Sequence, residues 1–262
     1  AHGGSSRASG GVGGLASGIH LYNSSYMLVK SNWIDEITGG DGGNGANGGY
    51  GIGIYLDNSF NNTLISNEIS NLTGGIGGDS VSNSGTGGSG GTGSGFLLSN
   101  SNLNVFSDNN ISDLKGGRGG GAGTYGSGST GGISSGFEFI NSTNNNLLRN
   151  LIVNLEGGLA ASVSSNFNGG KGSDGFATAI WIRDDTSLIN DITPLLLDSS
   201  VYRIDTTNLS KIDGSPILFF YNNNNLNITG IKFDSATAPI TFKGSIDSEW
   251  YQRDFKAISA GS

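Results

Sequence analysis

The densest group of chemically competent side chains in this 262-residue chain is Arg183-Asp184-Asp185. Acids beside a base can exchange protons with a sugar substrate, as general acid–base catalysis requires. Three adjacent charges in an extended segment, however, point to alternating faces and read more simply as a solvated corner. The only histidines are His2 and His20, and cysteine is absent. That leaves neither a His-based metal centre nor a Ser-His-Asp relay persuasive, and it excludes a disulfide framework. Asp41 and Asp79 lie in glycine-rich stretches and could meet backbone carbonyls around calcium, but without the alternating ligand spacing of a calcium loop. No catalytic residue, metal or cofactor is therefore expected. Covalent chemistry is the remaining option: N-x-S/T sequons occur at Asn23, Asn61, Asn71, Asn110, Asn141, Asn208 and Asn227. Asn, Ser and Thr are so abundant that this number has no weight. Asn71, Asn208 and Asn227, followed by Asn61 and Asn110, are the candidates for glycans, because Asn23 and Asn141 belong to a repeat that gives their side chains another use.

That repeat is written four times. From Ile19, Ile54, Phe96 and Phe137, each copy runs 20 residues to a Gly-Gly pair, at Gly39, Gly74, Gly116 and Gly157. Apolar columns recur at Leu21, Leu56, Leu98, Phe139; at Val29, Leu64, Phe106, Leu147; at Ile34, Ile69, Ile111, Ile152; and at Ile37, Leu72, Leu114, Leu155. A unit with three short apolar patches cannot close its own core and must stack on copies of itself. The period-two spacing of Ile19/Leu21 and Ile54/Leu56 makes the patches strands. Two asparagine columns punctuate them: Asn23, Asn58, Asn100, Asn141 and Asn32, Asn67, Asn109, Asn150. Asparagine tolerates left-handed corners, and copies stacked at roughly 4.8 Å can bond amide to amide as ladders. The expected fold class is all-β, a parallel β-helix with Asn ladders at its corners.

The stretch GIYLDNSFNNTLISNEISNL resembles the right-handed parallel β-helix repeats of NosD-like proteins and of many carbohydrate-active β-helices, over about residues 19 to 240. The resemblance implies the fold and little about activity, since enzymes, adhesins and fibres share it.

Between the copies lie glycine-rich inserts. With the N-terminal segment they hold 44 of the chain's 48 glycines, and no repeat contains a glycine before its terminal pair. Every insert thus leaves the coil at one corner. Loop closure penalises length only weakly, so mobile Gly/Ser loops are the bland alternative. Against it, the glycines keep a period of three: Gly39, Gly42, Gly45, Gly48, Gly51 in one insert and Gly117, Gly120, Gly123, Gly126 in another. Three residues per turn is the period of a polyproline-II-type helix, and the absence of proline leaves every N–H free to bond a neighbouring arm. We expect polyglycine-II-like arms stacked as a second layer. The positions pointing out of the first strand column, His20, Tyr55, Leu97, Glu138, Trp181 and Phe219, form a partly aromatic strip expected to pack under the inserts or a neighbour rather than bind sugar.

Organisation follows: residues 1–18 as a glycine-rich segment, 19–179 as four repeats with inserts, and 180–262 as insert-free coils and a terminal cap, with all three prolines and 7 of the 13 Lys and Arg residues. A net charge of −8 and a pI near 4.6 argue against nucleic acid or an anionic membrane surface, and no apolar run approaches the roughly 18 residues of a membrane span. An alanine start with a single methionine, Met27, suits removal of an export signal. The sequence reading is an exported, non-enzymatic structural protein of an extracellular filament or sheath, partnered by copies of itself head to tail and by covalent glycans. A glycan- or ice-binding fibre tip, a carbohydrate-active enzyme acting through Asp184 and Asp185, and a NosD-like accessory protein are the alternatives.

Overall fold

The computed structural model describes residues 10–142, 144–161 and 172–183, and beyond them the backbone of short strands as far as residue 257. The described residues are strand and extended or turn segments, without a helix. Three sheets stack strictly in parallel. The first holds β1 (Ala16–Tyr22), β4 (Gly51–Asp57), β7 (Gly93–Ser99), β10 (Ser134–Ile140), β13 (Ala177–Arg183), β16 (Leu218–Tyr221) and β18 (Ile240–Lys243). The second holds β2 (Leu28–Lys30), β5 (Thr63–Ile65), β8 (Val105–Ser107), β11 (Asn146–Leu148) and β14 (Arg203–Asp205). The third holds β3 (Trp33–Thr38), β6 (Glu68–Thr73), β9 (Asn110–Lys115), β12 (Leu151–Glu156), β15 (Asn208–Asp213), β17 (Lys232–Phe233) and β19 (Lys256–Ala257). One strand of each sheet makes a rung, so the chain is a parallel β-helix. Its register pairs the sequence columns directly: Ile19 with Ile54, Ile54 with Phe96, Phe96 with Phe137 and Phe137 with Ile180.

The apolar columns close a continuous core. Ile54, Leu56, Leu64, Ile69 and Leu72 of the second rung are fully buried, as are Phe96, Phe106, Phe137 and Phe139. Phe96 lies flat on Phe137 at 4.8 Å between ring centres, and both meet Phe106 edge-on at 5.1 and 5.3 Å, the geometries that aromatic quadrupoles favour.

One pattern departs from period two. Ile34 and Ile37 are three apart in β3, yet both face the core. Glu36 between them takes φ 56°, as Asn71, Asp113 and Asn154 do in the rungs above, and the strand pairing skips this residue. A left-handed bulge therefore returns the second side chain to the inside.

The inserts form an ordered layer of extended arms. The three inserts described throughout run outward from the third sheet, turn, and run back to the first. Outbound N–H groups at Gly39, Gly42 and Gly45 donate to Thr73, Ile76 and Asp79 of the next outbound arm, and Gly74, Gly77 and Ser80 donate in turn to Lys115, Arg118 and Gly121. A second set of bonds crosses between outbound and return arms. From Gly175 the donors pass to the carbonyls of Gly158, Gly132, Gly117, Gly91, Gly75, Gly49, Gly40 and Gly14, each N···O 2.7–2.9 Å. Nine glycines thus make one unbroken chain, seven of them both donating and accepting. A parallel chain joins Ala161, Ser129, Gly120, Gly88, Gly78, Ala46, Gly43 and Gly11. Bonding repeats every third residue along an arm.

A methyl group at Gly75, Gly91, Gly117, Gly132 or Gly158 would collide with a backbone carbonyl of the adjoining arm. Overpacking of this kind costs about 1–3 kcal/mol. Gly117→Ala should therefore lower the unfolding free energy by at least about 2 kcal/mol in a urea titration, whereas Arg118→Ala, at an exposed neighbouring position, should change it by less than about 0.5 kcal/mol.

Candidate functional site

The column Asn32, Asn67, Asn109, Asn150 is a hydrogen-bonded stack. Asn67 Oδ1 accepts from the backbone N–H and the Nδ2 of Asn32, at 3.1 and 2.9 Å, while its own Nδ2 donates to Asn109 Oδ1 at 2.9 Å and to the Val29 carbonyl at 3.0 Å. All four valences of the amide are used. Aspartate would lack the donors and serine the second donor, so asparagine fits best at this spacing.

The column Asn23, Asn58, Asn100, Asn141 works differently. These residues hold φ between 47° and 49°, which is the left-handed turn itself. Asn58 donates to Asp57 and Asn100 to Ser99 within their own rungs. The expected amide ladder at this corner is replaced by the next column of serines: Ser24 N–H donates to Ser59 Oγ, Ser59 N–H to Ser101 Oγ and Ser101 N–H to Ser142 Oγ. A left-handed residue turns its side chain out of the stack, and the serine that follows points in. A further Asn ladder, Asn62, Asn104 and Asn145, was not anticipated. Asn104 Oδ1 accepts the N–H and Nδ2 of Asn62, and its Nδ2 reaches Asn145 Oδ1 and the Ser59 carbonyl. Its signal was present in the sequence but hidden, because the first rung has Met27 in that column.

Of the candidate glycan sites, Asn61 stands exposed at a left-handed corner and Asn71 at the left-handed bulge of β6, with its Nδ2 on Asp35 Oδ1 at 2.8 Å. Asn110 is half-buried in β9. Asn208 is described only as a strand residue, and Asn227 lies outside the described residues, as do Asp184 and Asp185. Asn23, set aside on the expectation of a ladder, is exposed as well.

Asp41 and Asp79 are tied into the arms: Ile76 N–H donates to Asp41 and Gly121 N–H to Asp79. Each carboxylate replaces a backbone carbonyl as acceptor for the next arm. Among the described residues no group of three or more His, Asp or Glu could hold a metal ion. In the outward strip His20 stacks on Tyr55 at 4.5 Å, Leu97 is nearly buried and Glu138 fully buried. Burial lifts the Tyr55 hydroxyl above its ordinary range. Between rungs, Arg149 grips Asp108 with two bonds of 2.7 Å, and Lys115 meets Glu156 at 3.0 Å. No helix among the described residues is long and apolar enough to cross a membrane.

No protein-family model matches the sequence, and no curated protein matches it. Among solved structures a springtail antifreeze protein from Granisotoma rainieri, described as a bundle of nine polyproline type II helices, is similar at 21% identity over 68% of this chain and 94% of that one, with a TM-score of 0.19. Superposition at that score carries no argument.

Two predictions follow from the corners. Asn104→Gly strips buried partners from Asn62, Ser59 and Asn145 and should cost about 3 kcal/mol or more, whereas Asn100→Gly keeps a left-handed corner at a residue outside the ladder and should be close to neutral; thermal unfolding of the two variants separates the roles. Hydrogen bonds from Asn71 and then Ser70 hold the Asp35 carboxyl below its usual 3.8, and the bond from Arg149 does the same for Asp108. Depressed folded-state values add stability above the unfolded pKa that is lost as pH falls through the folded one. The melting temperature should therefore drop below about pH 4, less steeply in a D35N/D108N double variant.

Proposed function

We propose that the chain is a structural subunit of an exported filament, fibre or surface sheath, assembled end to end from copies of itself, and that its arms are polyglycine-II-type helices bracing the β-helix. The three-residue period of the inter-arm bonds supports the second part. The first part is carried by the first rung. There Tyr26, Met27, Leu28 and Trp33 are exposed, Tyr26 by 82% and Trp33 by 76%, at columns where the second rung has Asn61, Asn62, Thr63 and Glu68. Val12, Leu15 and Tyr22 add to the same rung. A terminal repeat that ends in water is polar on its outside; this one is the more apolar of the two. Among the described residues each sheet ends there on a strand edge, β1, β2 or β3, and such an edge templates further strands. The core itself does not gape, since Leu21, Val29 and Ile34 are each at most 8% exposed. The end offers backbone and rim, which is what a further rung would cover. Export is part of the proposal and rests on the composition and on the resemblance to NosD-like repeats.

Electron microscopy and sedimentation of the purified protein test this. Filaments or a concentration-dependent series of oligomers are expected. A variant carrying Tyr26→Asn, Met27→Asn, Leu28→Thr and Trp33→Glu, the residues of the second rung, should keep its circular dichroism and sediment as a monomer. An unmodified protein that stays monomeric at high concentration in native buffer would overturn the reading and favour a glycan-binding tip.

A further inference from the structure

Among the described residues, a two-bond ring joins consecutive arms at three places. On the outbound arms Gly42 N–H donates to the Ile76 carbonyl while Ile76 N–H donates to Asp41 Oδ1, and Ser80 N–H donates to the Gly121 carbonyl while Gly121 N–H donates to Asp79 Oδ1. On the return side Gly48 N–H donates to the Ser89 carbonyl at 2.9 Å, and Ser89 N–H donates to Asn47 Oδ1 at 2.8 Å. One residue of the arm above thus holds both a side-chain oxygen and the backbone nitrogen that follows it. The third ring closes on Asn-Gly, one of three such pairs in the chain beside Asn44-Gly45 and Asn168-Gly169. Asn168 lies outside the described residues.

Asparagine followed by glycine carries its own electrophile and nucleophile. The glycine nitrogen can attack the side-chain Cγ, and no Cβ on the attacking residue obstructs it. The attack requires that nitrogen to be turned onto Cγ at close range. In the ring it is directed at Ser89 instead, and Asn47, although exposed, has its amide oxygen fixed on the same residue.

We infer that Asn47-Gly48 is a latent self-modification site, kept closed by Ser89 of the arm above and released when the two arms part. Gly48 N then bonds to Asn47 Cγ and gives up its proton, the Cγ–Nδ2 bond breaks, and ammonia leaves behind a five-membered imide. Water opens the imide at one carbonyl to give aspartate and at the other to give isoaspartate. Aspartate keeps the acceptor oxygen, the role that Asp41 and Asp79 already fill. Isoaspartate routes the main chain through Cβ and adds one atom to it. That atom falls just before Gly48, Gly49 and Gly51, whose bonds to Ser89, Gly40 and Thr92 depend on the three-residue spacing. A modified arm cannot regain its register, so the opening is recorded irreversibly. The inference needs only the glycine layer and stands apart from the filament reading.

To test it, the folded protein and the same chain in guanidinium chloride are held in mildly alkaline buffer, digested and mapped by mass spectrometry, with an isoaspartyl methyltransferase assay to separate the products. Conversion at Asn47 should be at least about tenfold slower in the folded protein, because it draws on the locally open fraction alone. A methyl group at Gly91 would meet the Gly49 carbonyl, whereas one at Gly158 would meet that of Gly117. Gly91→Ala, shown to be folded by circular dichroism, should therefore speed conversion at Asn47 several-fold, and Gly158→Ala should leave it unchanged. The isoaspartate form, isolated by chromatography, should exchange the amide hydrogens of Gly49 and Gly51 faster than the parent, and an Asn47→Asp variant should not. Equal conversion in folded and unfolded chains, or no acceleration in folded Gly91→Ala, would overturn closure by the arm above. Parent-like exchange at Gly49 and Gly51 in the isoaspartate form would overturn the loss of register.

Discussion

Everything beside the β-helix core depends on one distance, the approach of one peptide backbone to another at 2.7–2.9 Å between N and O with nothing on the intervening Cα. A single β-helix rung supplies only the corner from which an arm leaves. What orders the arm is that consecutive arms, emerging at the rung spacing, present N–H and carbonyl groups in three directions, one after another along the chain. Two of those directions are used in each interior arm, one toward the like arm of the next rung and one across to the opposite arm. The glycine content is the condition for this, because the methyl carbon of an alanine would occupy the space of the acceptor oxygen at nearly every interior position. Where the contact is looser the sequence relaxes: Ala46, Ser129 and Ala161 sit in the second chain of bonds, nearer the tips.

Glycine and asparagine have exchanged their usual duties. Glycine is ordinarily placed where φ must be positive, yet among the described glycines only Gly10 and Gly45 have φ in that region. Among the described residues positive φ falls instead to sixteen other residues, three corner columns and the bulge column in each of four rungs, and they include Tyr26, Leu103 and Arg149 as well as Asn and Asp. The rung tolerates this because the corners repeat one above another and eight of their N–H groups bond to the neighbouring rung, as Asn23 does to Asp57 and Ser31 to Ile65. Stacking offsets a local conformational cost that an isolated turn would leave exposed.

This division explains what the sequence made legible. The apolar columns and their pairing were readable because side chains of the same kind recur at fixed offsets from Ile19, and the exit corner of the inserts was readable from where glycine begins. The Asn32 column could be read as a ladder for the same reason. The Asn23 column could not be distinguished from it, since a repeated asparagine looks alike whether its amide bonds upward or its backbone turns left-handed; only φ separates them. The Asn62 ladder was masked by Met27, and the bulge at Glu36 by the habit of reading strands with period two. Asp41 and Asp79 lacked the ligand spacing of a calcium loop, and their actual use was not legible either, because it depends on the neighbouring arm: each carboxylate accepts an N–H from the arm above.

A stack of this kind distributes its bonds so that an interior rung is satisfied on both sides and a terminal rung on one. Interior substitutions therefore meet two neighbours and surface ones meet none, while the ends retain unspent valence by construction. Evolution can quench that valence with a polar cap, a bulge or a charge, as edge strands usually require. The first rung does the opposite at four columns, exchanging Asn, Asn, Thr and Glu for Tyr, Met, Leu and Trp. The Met27 exchange is the most informative of these. It halts the Asn62 ladder at the second rung, so its last oxygen serves the Met27 backbone N–H at 2.9 Å and no amide is left pointing outward in that column. A face that ends one ladder in thioether, with the described sheets ending on β1, β2 and β3, is the face that the proposed end-to-end assembly would cover.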